Sequence, residues 1–449
     1  MLTNNLSSKR GTMVPGKKPP HWLGWLELVV MGVLAPWFLV PSLGFHPWLM
    51  AVPLVFWGVR LFVTHRLTQP SPLSIPITGM TLMLGISMLA TFSPSLSLPK
   101  VVGIYFGIIL YFVIINNLSW NLAVHFLLPA ILVAGFTIAV LSLFGMEWTE
   151  SKLPIVGPVL KDISQQIPRL ITNLPRTREG ISTNQLGGTL VLFIPLQTTY
   201  LIYAIRTVRE KIWAWMRVLS SGVGLSLTLV VLLLTQSRGA IASAFIVLSA
   251  LSIFYLRRRW WAMAVLLLLA FAVAGVLIFS PETSQTFISE RFVENELLLS
   301  ARPIIWSSAC RIIQDYSLTG IGLDTFPSVL AARYPNFLIP AEQALMITHA
   351  HNLYLQTALD LGVPGLIAFL ALLAIVTWML VITVKKTASP LVQNVAVGLL
   401  LGLGAQLIYG WIDCIALGQK PSIFFWVYLA LSTLIYQHTT GKPVHPPIQ

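Results

Sequence analysis

The sequence predicts an all-α polytopic membrane protein with about 12 transmembrane helices and a large outward-facing helical loop. Three observations carry that expectation. Of its 449 residues, 56% are hydrophobic and only 10% charged, where a soluble domain carries about a quarter. Such a chain lacks the polar coat that water demands, which excludes a water-soluble globular protein. Second, the apolar residues gather in continuous stretches near the roughly 20 residues that cross a bilayer, and they do not alternate as barrel strands do. Third, the few charges sort by side, as the positive-inside rule requires.

Taken in order, residues 1–21 form a polar, basic cytoplasmic tail carrying Lys9, Arg10, Lys17 and Lys18. The apolar stretch behind it is too long for a signal-peptide core and lacks a small-residue cleavage site, so a retained N-terminus is expected. Helices 1–5 occupy 22–144, at 22–40, 45–63, 73–92, 101–115 and 122–144. An outward loop spans 145–180. Helices 6–9 follow within 181–280, at 186–205, 218–235, 240–256 and 261–280. A second outward loop covers 281–350, and its length marks it as functional. Helices 10–12 fall within 351–437, at 363–384, 391–411 and 422–436, before a cytoplasmic tail at 438–449.

With the N-terminus inside, the cytoplasmic segments gather 16 cations, Arg60 among them, against one acid, Glu210. The outward side holds 12 cations and 13 acids, and Glu27 lies in the first span. The net charge of +13 therefore reports topology, and no nucleic-acid partner is expected. Cys310 and Cys414 are too few for a disulfide framework or a cysteine-based zinc site. No GxxxxGK[ST] loop is present to hydrolyse a nucleotide, and no HExxH or Cys/His cluster implies a metal; no cofactor is expected. The scarcity of acids inside the spans argues against an ion-coupled transporter, though a small-anion transporter stays open as the reading of another class.

Three outward places concentrate the chemistry. Thr235-Gln236-Ser237-Arg238-Gly239-Ala240 joins two spans, with Ser237 as N-cap and Arg238 in the first helical turn. Ser300-Ala301-Arg302-Pro303 lies in the long loop, where Pro303 suits a first helical position and puts Arg302 at a helix N-terminus. The pairs Ile304/Ile305, Ser308/Ala309 and Ile312/Ile313 make that helix amphipathic and fit to rest on a membrane surface. Thr348-His349-Ala350-His351-Asn352 opens a helix through Leu359. Helix N-termini with arginines favour a bound phosphate, and their dipole holds a nearby imidazole neutral and able to accept a proton. Blander readings stand beside these: Arg238 as a headgroup anchor, Arg302 paired with Glu294 or Glu296, His351 as a solvated loop residue. The HxH spacing lacks an evident third metal ligand.

These residues resemble the O-antigen ligase superfamily, which includes the ligases, O-antigen polymerases and some protein O-oligosaccharyltransferases. His351-Asn352, nine residues, then Gly362-Val363-Pro364-Gly365 is similar to the family's His, small amide or hydroxyl, nine residues, GxxG. Thr235-Gln236-Ser237-Arg238-Gly239 resembles its Ser/Thr-Arg-Gly turn. Arg302 with Trp306 and Ala309, followed by Leu318-Thr319-Gly320-Ile321-Gly322-Leu323-Asp324-Thr325-Phe326, resembles the approach to the histidine. Asp413 near Lys420 resembles the closing outer loop. Arg178 and Asn184 resemble a further family region only in part, since no proline precedes Asn184, and Asp324 stands where a small residue is expected.

The resemblance implies a metal-independent, inverting glycosyltransferase of lipopolysaccharide biosynthesis, most like an O-antigen ligase, in a bacterial inner membrane. Its donor would be a glycan on undecaprenyl pyrophosphate and its acceptor a sugar hydroxyl, such as one on lipid A–core, at a periplasmic active site. A polymerase using the same donor is the alternative. By the same resemblance His351 is the catalytic base, and Arg238 and Arg302 bind the pyrophosphate. Asn352, Arg178, Asn184 and His349 are the remaining substrate-binding candidates.

Overall fold

The computed structural model describes residues 21–39, 46–65, 67–146, 148, 152–153, 157–171, 182–208, 211–255, 297–335, 339, 344–345 and 347–441. Every expected span on these residues is helical, and the stretch expected at 261–280 lies outside them. The helices are α1 (His21–Leu39), α2 (Ala51–Thr64), α3 (Ser74–Ala90), α4 (Pro94–Asn117) and α5 (Trp120–Gly145), whose second turn is π-helical. A short α6 (Gly157–Gln165) precedes α7 (Thr183–Arg206), α8 (Ile212–Leu234) and α9 (Arg238–Tyr255). Then come α10 (Leu297–Asp315), α11 (Phe326–Arg333), α12 (Leu353–Lys386), α13 (Pro390–Tyr409) and α14 (Ile423–Thr440). Among the described residues there is no strand, and seven helices (α4, α5, α7, α8, α9, α12 and α13) are long and apolar enough to cross a membrane. The chain is a multi-pass membrane protein.

Packing follows side-chain size. Helices α7 and α13 lie closest, because Gly398 and Gly402 fall one helical turn apart on α13 and admit the α7 backbone. A Cβ at Gly402 would stand 2.6 Å from the Leu192 carbonyl oxygen. The large core then joins α3, α4, α12, α13 and α14 around Trp426, Tyr111, Tyr428 and Phe369. Arg60 is buried: it donates to Glu27 at 2.7 Å and to Asn117 at 2.8 Å, tying α1, α2 and α4 together. Removing a single partner would strand a charge in an apolar surround.

Helices α10 and α12 position the site, and α10 departs from expectation. Helix α10 begins at Leu297, so Pro303 lies inside it and Arg302 sits in its second turn instead of at its N-terminus. Leucine and alanine before the proline favour helix, and Pro303 forfeits only one backbone hydrogen bond there. The apolar face of α10 does not rest on a membrane surface. Ile305, Ser308, Ala309 and Ile312 are buried, and the apolar three pack with Ile321, Phe326, Val329 and Leu359. Helix α12 is two helices in one. Gly362 has φ 71° and ψ 174°, outside the helical region, and separates the segment that follows Asn352 from the longer apolar segment. A Cβ at Gly362 would meet the Leu318 carbonyl oxygen at 2.7 Å, so glycine alone suits the break.

Candidate active site

His351 is held by a turn that the sequence builds locally. Its φ of 48° lies in the left-handed region, and the next residue, Asn352, caps α12. The Asn352 Oδ1 accepts hydrogen bonds from the Tyr354 and Leu355 amides, both at 3.0 Å. Its Nδ2 donates to the Trp411 carbonyl at 3.2 Å, and the Leu353 amide donates to the Gly410 carbonyl at 2.7 Å. These bonds fasten the histidine turn to the segment that follows α13, which carries Asp413.

Asp413 organises the site. Its Oδ1 lies 3.2 Å from His351 Nδ1 and accepts from the Cys414 amide at 2.8 Å, while its Oδ2 faces Arg302 Nη2 at 3.9 Å. Burial opposes the Asp413 charge, but the His351 hydrogen bond and the nearby Arg302 charge hold its carboxyl well below the usual carboxylate range. An ionised Asp413 makes His351 Nδ1 the donor. His351 Nε2 is then a lone pair, buried and without a hydrogen-bond partner among the described residues.

Arg302 is mostly buried, and its Nε also lacks a partner among the described residues. Burial works against its charge and Asp413 restores part of it. A guanidinium with one long ion pair and unengaged donors is ready for an anion. Arg238 stands half-buried at the first position of α9, behind a buried Thr235-Gln236-Ser237 turn. The next residue, Gly239, lies against Ile412 and Tyr409, so this turn adjoins the segment bearing Asp413. Gln236 Oε1 accepts from the Lys152 amide at 2.7 Å, tying the preceding connection to the same end of the bundle.

His349 sits beside His351, with ring centroids 4.2 Å apart. Its Nδ1 accepts from the His351 amide at 3.1 Å, and burial, with His351 next, pushes it down to about 3. Asn184 is at the start of α7, where its carbonyl accepts from the Tyr409 hydroxyl at 2.7 Å. Arg178 lies outside the described residues. The two cysteines do not meet: Cys310 is exposed and Cys414 buried, both free.

The third metal-ligand partner that the sequence did not reveal is supplied by tertiary structure. Donor atoms of His349, Asp413 and Cys414 lie within 4.8 Å of one another. Yet His349 presents Nδ1 to Cys414 Sγ at 3.5 Å and Nε2 to Asp413 Oδ1 at 3.8 Å. Burial raises the Cys414 thiol well above its ordinary value, which opposes the thiolate that a metal ion would take. Cys414 joins the other two, its thiol at His349 Nδ1 and its amide at Asp413 Oδ1. Asp413 is the functional residue that sequence reasoning left without a role; its only signal was the resemblance of the closing loop.

A helical multi-pass membrane protein, with a buried His–Asp pair beside an arginine whose Nε has no partner among the described residues, is the class that fold and site define. Residues 223–370, about a third of the chain, match the O-antigen ligase family (Wzy_C). The match includes Arg238, Arg302, His349, His351 and Asn352, and supports a membrane glycosyltransferase of the O-antigen ligase and polymerase type. Asp413 and Asn184 fall outside it. No curated protein matches the chain.

Proposed function

We propose that the protein is an O-antigen ligase, transferring a glycan from undecaprenyl pyrophosphate to a sugar hydroxyl such as that of lipid A–core on the periplasmic face of the inner membrane. The observation that carries this reading is the buried Nε2 of His351, without a partner among the described residues, with Asp413 on its other nitrogen. In the reaction Nε2 takes the proton of the acceptor hydroxyl as its oxygen attacks the anomeric carbon. Asp413 stabilises the resulting imidazolium. The bond from the anomeric carbon to pyrophosphate breaks on the opposite face, inverting configuration, and Arg302 with Arg238 receives the departing charge. Asn352 holds the histidine turn, while His349 stays neutral and fixes the Asp413 carboxylate. The pyrophosphate linkage supplies the driving force without a nucleotide, and none of these steps requires a metal.

The test gives purified protein a lipid-linked glycan with either lipid A–core or a second glycan as acceptor. Transfer to lipid A–core supports the ligase; transfer only to the second glycan makes the protein a polymerase, and no transfer to either returns the anion-transport reading. His351→Ala abolishes transfer while donor binding persists; retained transfer removes the base assignment. Arg302→Ala and Arg238→Ala each weaken donor binding by about 1.5–3 kcal/mol, and unchanged affinity in both refutes the pyrophosphate clamp.

A further inference from the structure

A second polar group stands beside the His–Asp pair. Lys100, near the start of α4, forms an ion pair with Asp324, whose side chain is 37% exposed against 18% for the lysine. Asp324 Oδ1 takes the lysine, and Oδ2 has no protein partner among the described residues. Lys100 is also within electrostatic reach of His349, Cys414 and Asp360. Asp360 accepts from Gln356 Nε2 at 2.7 Å, and Gln356 Oε1 accepts from the Ala350 amide at 2.9 Å. The half-buried Lys100–Asp324 pair and the Gln356–Asp360 pair, which reaches the residue next to His351, thus lie within one another's electrostatic reach.

The segment bearing Asp324 is rigid. Ser97 Oγ donates to the Leu323 carbonyl at 2.7 Å, the Phe92 amide donates to the Ile321 carbonyl at 3.3 Å, and the Ile321 amide donates to the Leu359 carbonyl at 2.8 Å. Asp324 itself has φ 62°, a conformation glycine adopts without strain. The turn therefore does not require a carboxylate, and a half-exposed ion pair adds little to stability. A carboxylate also repels pyrophosphate, so Asp324 is unsuited to the donor's head and suited to neutral hydroxyl donors.

We infer that Asp324 is a specificity-determining residue for the acceptor, its free carboxylate oxygen accepting hydrogen bonds from the hydroxyls of the incoming sugar. Lys100 is the positioning residue that holds that carboxylate in place through their ion pair. The inference rests on the glycosyltransfer reading above and adds the acceptor side to it.

The test measures binding of two probes, lipid A–core and an undecaprenyl-pyrophosphate glycan, to the full-length protein in lipid discs. Asp324→Asn and Asp324→Gly both tolerate the left-handed turn and keep the fold. Each lowers affinity for lipid A–core by about tenfold or more, as expected for losing a charge-assisted hydrogen bond, with donor affinity and thermal midpoint unchanged. Lys100→Gln shifts acceptor affinity in the same direction by less. Unchanged acceptor affinity in both Asp324 variants, with the wild type binding both probes, overturns the subsite and leaves the transferase reading standing. Loss of donor and acceptor affinity together with a lower midpoint assigns the pair to the fold and also overturns it. A wild type that binds neither probe removes both readings.

Discussion

His351 can act as a base only in the tautomer that frees Nε2, and Asp413 selects that tautomer by accepting from Nδ1. Asp413→Asn therefore lowers turnover by about 100-fold or more in single-turnover assays with saturating donor; turnover near wild type would leave Asp413 a merely structural acid. His349 makes a prediction of its own. Its folded-state value of about 3 lies below the 6.5 of an exposed histidine, so below pH 6.5 the unfolded chain binds a proton that the folded chain refuses. Stability from this group is complete above pH 6.5 and falls as pH drops toward 3. Between pH 7.5 and 5 the loss is about 2 kcal/mol, read as a falling unfolding midpoint in detergent, and His349→Gln flattens that slope. A wild-type midpoint independent of pH over this window refutes the buried neutral histidine. His351, Arg238 and Arg302 were legible in the sequence because each stands out locally against apolar neighbours. Asp413 was not, because its partner is 62 residues away and only packing brings them together.

At the scale of elements, Gly362 decides where the site ends and the spanning helix begins. Gly362→Ala would force a Cβ into the Leu318 carbonyl at a backbone conformation that only glycine accepts readily. We expect a loss of about 1–3 kcal/mol, seen as a lower thermal midpoint, with transfer reduced because the turn that carries His351 is disturbed. An unaffected midpoint would mean that the break relaxes to continuous helix. The sequence already signalled this element through Asn352, whose capping role depends only on residues two and three positions ahead. Helix α10 was read less well. Pro303 resembled a start signal, yet the leucines and alanine upstream continue the helix, and docking against Leu359 outweighs the cost of an internal proline. Its buried stripe was correctly patterned, but periodicity alone does not say whether protein or lipid covers it.

For the whole molecule, the orientation drawn from the basic residues puts the His351 end outside the cytoplasm. Cys310 is exposed at that end and Cys414 is buried, so a membrane-impermeant maleimide labels Cys310 in intact spheroplasts and spares Cys414. Labelling of Cys310 only after lysis would invert the topology. Composition and charge made the membrane class legible, because both are sums over many residues. How the helices neighbour one another was not, since it turns on a few close approaches such as Gly402 against Leu192. The 62-residue separation of His351 and Asp413 also bears on biogenesis. During synthesis His351 leaves the ribosome well before its partner does, and Asp413 joins it only once α13 has been made. A nascent chain halted between them carries an imidazole with no carboxylate to orient it.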